Sequence, residues 1–332
     1  MKKNLIFAAV LCVALAFGFS ACENPNNDDL LNQIEDLKNE LNDLKNDKDK
    51  TDSADKDGDK DNSSDNEQNG DGTPDPGEGE GGSSDDSSSN LVPDAFSVSA
   101  DKQVYFSSGN LQYIQSTNTW SFAENQYDVI GTANVSDGAL ADKIDLFGWS
   151  ADNTTAKFGV SISEDYDDYS GTFVDWGTNQ IGADAPNTWR TLTYDEWYYL
   201  RYERPNYDEL IGVAQVNGVN GLILLPDGWT SPDGITFKSG FHSNNGVDYY
   251  AAYQTFTADQ WSKMEAAGAV FLPAAGDRDG SDVRSVQYNG RYWSATESGS
   301  YIAYYLGFYS CEADWNTSTR NYGRSVRLVK DL

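Results

Sequence analysis

The chain has 332 residues, room for two ordinary domains, and carries 23 Lys and Arg against 53 Asp and Glu, a net charge of −30. That balance argues against nucleic acid, whose phosphates need clustered Lys and Arg. One histidine, His242, excludes a multi-histidine metal centre, and the three cysteines, Cys12, Cys22 and Cys311, leave the folded part with one thiol and no internal disulfide.

Residues 1–21 read as an export signal. Lys2 and Lys3 precede an apolar stretch, Leu5 to Phe19, that is too short for a comfortable membrane span. The run Phe19-Ser20-Ala21-Cys22 resembles the processing site of bacterial lipoproteins, which implies a lipid-modified Cys22 as the mature N-terminus. An ordinary signal peptide with an incidental cysteine is the alternative. Several acyl chains give near-permanent anchoring. Asp28 and Asp29 resemble signals that send lipoproteins to the cell surface, so the expected location is the outer membrane, surface-exposed.

Residues 22–45 hold the anchor and a short heptad. Leu30, Ile34, Leu37, Leu41 and Leu44 are spaced as an a/d seam with charged flanks. The seam is marginal alone, but copies anchored in one membrane meet at raised local concentration, so a homo-oligomer through 30–44 is one expectation and a solvated stalk the other. Residues 46–92 are almost entirely Asp, Ser, Gly, Asn and Lys, with no aromatic residue. Nothing in them offsets the entropy of ordering, so they read as an acidic disordered linker that spans roughly 40 Å as a coil. Its Asp55–Asp61 run suggests calcium, but counted from Asp57 the EF-hand pattern fails at Asn62 and Gln68.

Residues 93–332 contain all nine Trp and all twenty Tyr. Short strand-like runs at 103–106, 111–114, 119–122, 222–225, 269–272 and 325–329 are separated by Gly, Asn, Asp and Pro. Thr193 with Glu196 forms a capping box that opens a helix over Tyr194–Tyr202. Thr257 with Gln260 opens a second over Ala258–Ala267, stopped by Gly268. Two helices among many short strands define an α+β domain.

Several motifs occur together: Gly109-Asn-Leu-Gln-Tyr113, Leu146-Phe-Gly-Trp149, Gly221-Leu-Ile-Leu-Leu-Pro-Asp-Gly-Trp229, Ala269-Val-Phe-Leu-Pro-Ala-Ala-Gly276, Tyr292-Trp-Ser-Ala295 and Gly323-Arg-Ser-Val-Arg-Leu-Val329. On these, the domain resembles the Fibrobacter succinogenes major paralogous domain group of bacterial surface lipoproteins. That group is similar to the formylglycine-generating-enzyme branch of the C-type lectin-like fold. The resemblance implies that the two ends of the domain pair in one small sheet, with Ser325–Val329 as the terminal strand, Trp293 and Trp315 as core, and a second sheet carrying the ligand face. Fold alone does not decide function. The copper site of those enzymes needs two cysteines, the iron site of the related sulfoxide synthases needs several histidines, and Trp315-Asn316-Thr317 lacks the carboxylate of a calcium-lectin motif. No catalytic residue, metal or cofactor is therefore expected.

The segment Ala303–Tyr309 alternates. Tyr304, Leu306 and Phe308 are expected to face the core, and Tyr305, Gly307 and Tyr309 to face ligand. Flanking positions use only Asn, Ser, Thr, Gly, Tyr, Asp, Ile and Cys, each reachable from an AAC codon by changes at adenine, between scaffold-like Trp293, Ala303, Leu306, Phe308, Trp315 and Gly323. This layout resembles the variable regions of retroelement-diversified proteins; paralogues drifting on an exposed face would use similar residues. The expected ligand contacts are Ser298, Ser300, Tyr301, Tyr305, Gly307, Tyr309, Asp314, Asn316, Thr317, Thr319, Asn321 and Tyr322, since Tyr offers area at low entropy cost and Ser, Gly and Asn offer adaptable hydrogen bonds. Arg320, Arg324 and Arg327 are expected to pair with carboxylates. The sequence thus reads as a lipid-anchored, adhesin-like binding protein for a protein or glycan. Its alternatives are a glycan-binding module and a cryptic enzyme of the formylglycine-generating fold.

Overall fold

The computed structural model describes residues 90–332. The expected signal peptide, the expected lipidation site Cys22, the heptad and nearly all of the expected acidic linker lie outside the described residues. The described part is mixed α+β, mostly short strands with few helices.

Its two ends meet. Leu328–Asp331 pairs antiparallel with Gln103–Phe106, Val329 opposite Phe106 and Asp331 opposite Val104, and Arg190–Thr191 joins the outer side of the same sheet. The terminal strand starts at Leu328 rather than at Ser325. Residues 324–327 are instead threaded through the interior, where the Ser325 and Val326 carbonyls accept from the Trp293 and Leu111 N–H groups.

A four-stranded sheet runs in the order Thr255–Phe256, Ile211–Val216, Val219–Leu224, Val270–Pro273. Its central hairpin closes through Asn217 and Gly218, both at positive φ (48° and 81°), the geometry that a two-residue hairpin turn requires. The strands are apolar at nearly every position because both faces are covered. Ile211, Val213, Leu222 and Leu272 enter one core, whereas Ala214, Val216, Ile223 and Phe271 enter another with Trp261 and Met264.

Both expected capping boxes are formed. Thr193 Oγ1 accepts from the Glu196 N–H and Glu196 accepts from the Thr193 N–H, opening a helix Tyr194–Tyr198 that continues as a π-helical turn over Tyr199–Glu203. Thr257 and Gln260 do the same for Ala258–Ala266, and Gly268 at φ +87° follows its end. A third helix, Asp248–Tyr253, lacks a side-chain cap and is held by buried Tyr250, whose hydroxyl donates to the Tyr288 carbonyl. It carries no local signal, which is why the sequence reading misses it.

A third core is rich in tryptophan: Trp120, Trp149, Trp176, Trp189 and Trp293 pack with Phe147 and Leu111. Three of its fully buried indoles keep partners for their N–H groups. Trp149 donates to the Ser294 carbonyl, Trp176 to that of Phe158 and Trp293 to that of Phe147.

Candidate functional site

The last sheet orders Gly290–Gly299, Ile302–Tyr309 and Glu312–Thr319 as a meander. Leu306 lies opposite Trp315 and Tyr305 opposite Asn316, which assigns alternate residues to two faces. At its base the sheet is wedged between two cores. Tyr292, Leu306, Phe308 and Ala313 enter the core shared with the four-stranded sheet, and Trp293, Ala303 and Tyr305 enter the tryptophan-rich one.

This double burial corrects the expected ligand set. Tyr305 is only 8% exposed; it meets Trp293 edge-on and lies beneath the Arg324 guanidinium. Asn321, 3% exposed, is buried because the chain turns inward after the edge strand, with the Trp149 N–H donating to the Arg320 carbonyl. Tyr304 departs from its expected core role: it is half-buried, its ring on Tyr194. Trp315 is likewise half-buried, packed against the core rather than enclosed in it.

Six of the expected residues are exposed: Ser298, Ser300, Tyr301, Asp314, Asn316 and Thr317. Gly307, Tyr309, Thr319 and Tyr322 are half-buried. Tyr309 meets the edge of Tyr288, and Tyr322 lies under Arg284 and Arg324. The hairpin tip at 298–302 reaches the acidic loop 164–168. There a hydrogen bond to Asp167 pushes the Tyr301 phenol up, and the Tyr301 ring lies 6.4 Å from that of Tyr166.

Asp314 and Asn316 have a role the sequence reading does not assign. Their strand is an edge, so N–H groups on its outer side have no ladder partner. Asp314 Oδ1 accepts from the Trp315 N–H at 2.7 Å, and Asn316 Oδ1 accepts from the Thr317 N–H at 2.9 Å. Each side chain blunts the edge against strand addition.

The arginines also depart from expectation. Only Arg320 finds a carboxylate, Glu297, at 2.8 Å; it also donates to the Gly171 and Gly299 carbonyls and lies over Trp149. Arg327 is held by the side-chain carbonyls of Gln126 and Asn110. Arg324 sits on aromatic faces, with Nε and one Nη lacking a hydrogen-bond partner. Burial lowers both guanidinium pKa values, that of Arg327 to about 10.

Beside the tip, the strand Gly290–Gly299 slips register between Trp293 and Glu297 and again before Gly299. Such irregularities re-aim side chains. The slip opens a cleft of about 380 Å³ walled by Trp149, Thr172, Phe173, Ala295, Thr296 and Glu297.

A second feature is a row of aromatic rings absent from the expected set. Tyr304 lies 4.5 Å from Tyr194, Tyr194 5.9 Å from Tyr198, Tyr198 5.2 Å from Tyr202 and Tyr202 6.5 Å from Tyr207, while Trp315 meets Tyr194 edge-on at 5.5 Å. The Tyr202 hydroxyl donates to Asp314 Oδ1 at 3.1 Å, and burial together with that carboxylate pushes its pKa up to about 12. The signal was in the sequence: Tyr194, Tyr198 and Tyr202 recur every four residues behind a capping box, which stacks them on one helix face.

Among the described residues no group of three or more His, Cys, Asp or Glu is placed to hold a metal ion. The acidic loop spends its carboxylates internally: Asp165 accepts from the Asp167 N–H, and Asp168 from the Ser163 hydroxyl. His242 stacks on Tyr249 and accepts from the Asn244 N–H. Compared with known proteins, the chain matches no family model, no curated protein and no solved structure.

Proposed function

We propose that this protein is a non-catalytic, adhesin-like ligand-binding protein, held at the outer membrane through lipid on Cys22 and displaying a C-type lectin-like domain on its acidic linker. The ligand face is the exposed part of the C-terminal sheet: Ser298, Ser300, Tyr301, Asp314, Asn316 and Thr317, bordered by Tyr309, Thr319 and Tyr322. One observation carries this reading. The base of the sheet is packed on both sides, yet its tip presents polar and Tyr side chains on a backbone whose shape the buried half determines. Preorganisation of that kind keeps the entropy cost of binding low.

A glycan is the second reading, favoured by the cleft beside the tip. Half-buried Phe173 supplies its apolar wall, over fully buried Trp149, and Thr172, Thr296 and Glu297 supply a polar rim of hydrogen-bonding groups. Arrays of glycans and of extracellular proteins, probed with the full-length chain and with a variant carrying S298A, S300A, Y301A and T317A, test both. The expected result is a ligand whose signal the variant loses. Equal binding by the two chains would remove the tip from the account.

A further inference from the structure

We infer that the aromatic row on the Tyr194–Glu203 helical segment is a docking site for an extended, cationic polypeptide segment, adjoining the proposed ligand face at Asp314 but distinct from the hairpin tip at 298–302. The row is unpartnered on its outer side: Tyr198 is 37% exposed, and Tyr194, Tyr202, Tyr207, Tyr304 and Trp315 are half-buried. A line of tightly neighbouring rings is a surface on which slender extended chains dock, as proline-rich segments do in aromatic-lined grooves. The ring faces are electron-rich and attract guanidinium and ammonium groups. The molecule already contains that interaction, since the Arg201 guanidinium lies 4.5 Å from the centroid of the Tyr202 ring.

Charge selects the partner. Asp195 and Glu203 lie on the same helical segment, Asp208 and Glu209 follow Tyr207, and Asp314 bonds Tyr202; all five are exposed. None of them forms an ion pair among the described residues, and Arg201 is the cation stacked on the row. A line of π faces bordered by unpaired carboxylates is complementary to a chain bearing Arg or Lys, and it repels an acidic one.

Fluorescence polarisation with a labelled decapeptide of alternating Pro and Arg tests the proposal on the full-length chain. Pro-Ser and Pro-Glu decapeptides serve as controls. The Pro-Arg peptide should bind saturably, more weakly as salt rises, and the controls should not. The Y198A/Y207A variant keeps the net charge and removes two rings that stand at the surface, and it should weaken binding about tenfold. Unchanged near-ultraviolet circular dichroism of the packed tryptophans would show that the variant is folded. The S298A/S300A/Y301A variant, which leaves Thr317 and its cross-strand neighbour Tyr304 unchanged, should bind the peptide as the parent does, which separates this site from the hairpin tip. Three results would overturn the inference: no saturable binding of the Pro-Arg peptide, equal binding of the Pro-Ser peptide, or full affinity in Y198A/Y207A, which would assign the attraction to overall acidity.

Discussion

The guanidinium carbon of Arg324 lies 3.5 Å from the centroid of the Tyr305 ring, and both side chains are buried. Tyr305 therefore supports the C-terminal sheet from within instead of standing at its surface. The ring gives a buried cation a polarisable face where no carboxylate reaches it. Replacing Tyr305 with Ala opens a cavity and strips that face away. The expected loss is about 3–5 kcal/mol, by analogy with other aromatic truncations in cores. Tyr305→Phe keeps the ring and should cost about 1 kcal/mol. Urea unfolding followed by tryptophan fluorescence measures both, and a Y305A variant as stable as the parent would return this residue to the surface.

Glu196 couples the terminal sheet to the first helix. It accepts from Arg190 at 2.7 and 2.8 Å and from Lys102 at 3.0 Å, and it closes the capping box; Arg190 also reaches Asp331. Burial disfavours the Glu196 carboxylate, but the Arg190, Thr193 and Lys102 bonds outweigh it and hold the pKa below the ordinary value. A depressed folded-state pKa gives stability that is present above the unfolded value, about 4.3, and is lost as pH falls through the folded one. Glu196→Gln retains a capping side chain and removes the charge. It should lower stability by about 1–2 kcal/mol at pH 7, and the difference from the parent should close on acidification below about pH 4. Urea midpoints at the two pH values provide the check; a pH-independent difference would mean that the charge contributes nothing.

Asp314 and Asn316 occupy two outward N–H groups of the edge strand Glu312–Thr319. In the D314A/N316A variant, the outward N–H groups of Trp315 and Thr317 lose their side-chain acceptors and become available to a second chain. Relative to the parent, this variant should self-associate further as concentration rises, read as mass by sedimentation. An unchanged mass would show that the edge is protected by something else.

Local chemistry was legible in the sequence and tertiary choices were not. The capping boxes at Thr193 and Thr257 involve residues three apart, and both form as read. The pairing of the domain's ends follows the resemblance, but the terminal strand begins three residues late because Arg324 and Arg327 are drawn into the interior by aromatic faces and amide oxygens far away in the chain. Alternation in Ala303–Tyr309 correctly separates Leu306 and Phe308 from Tyr305 and Gly307. It misassigns Tyr305 because a period of two sorts residues onto faces without saying whether the second face is covered. Here Tyr305 packs on Trp293 of the neighbouring strand and under Arg324, within the core that also holds Trp149 and Trp176 from segments far away in the chain. The tyrosine row was visible as a spacing of four, yet only the packing of Tyr304 and Trp315 against it makes it continuous.

Thermal unfolding of the S298A/S300A/Y301A/T317A variant beside Y305A tests most directly whether the tip is separable from its scaffold. The tip variant should melt within a few degrees of the parent, as exposed substitutions do, while Y305A melts far below it. Collapse of the tip variant, or a Y305A that melts with the parent, would contradict a variable face carried on a packed base.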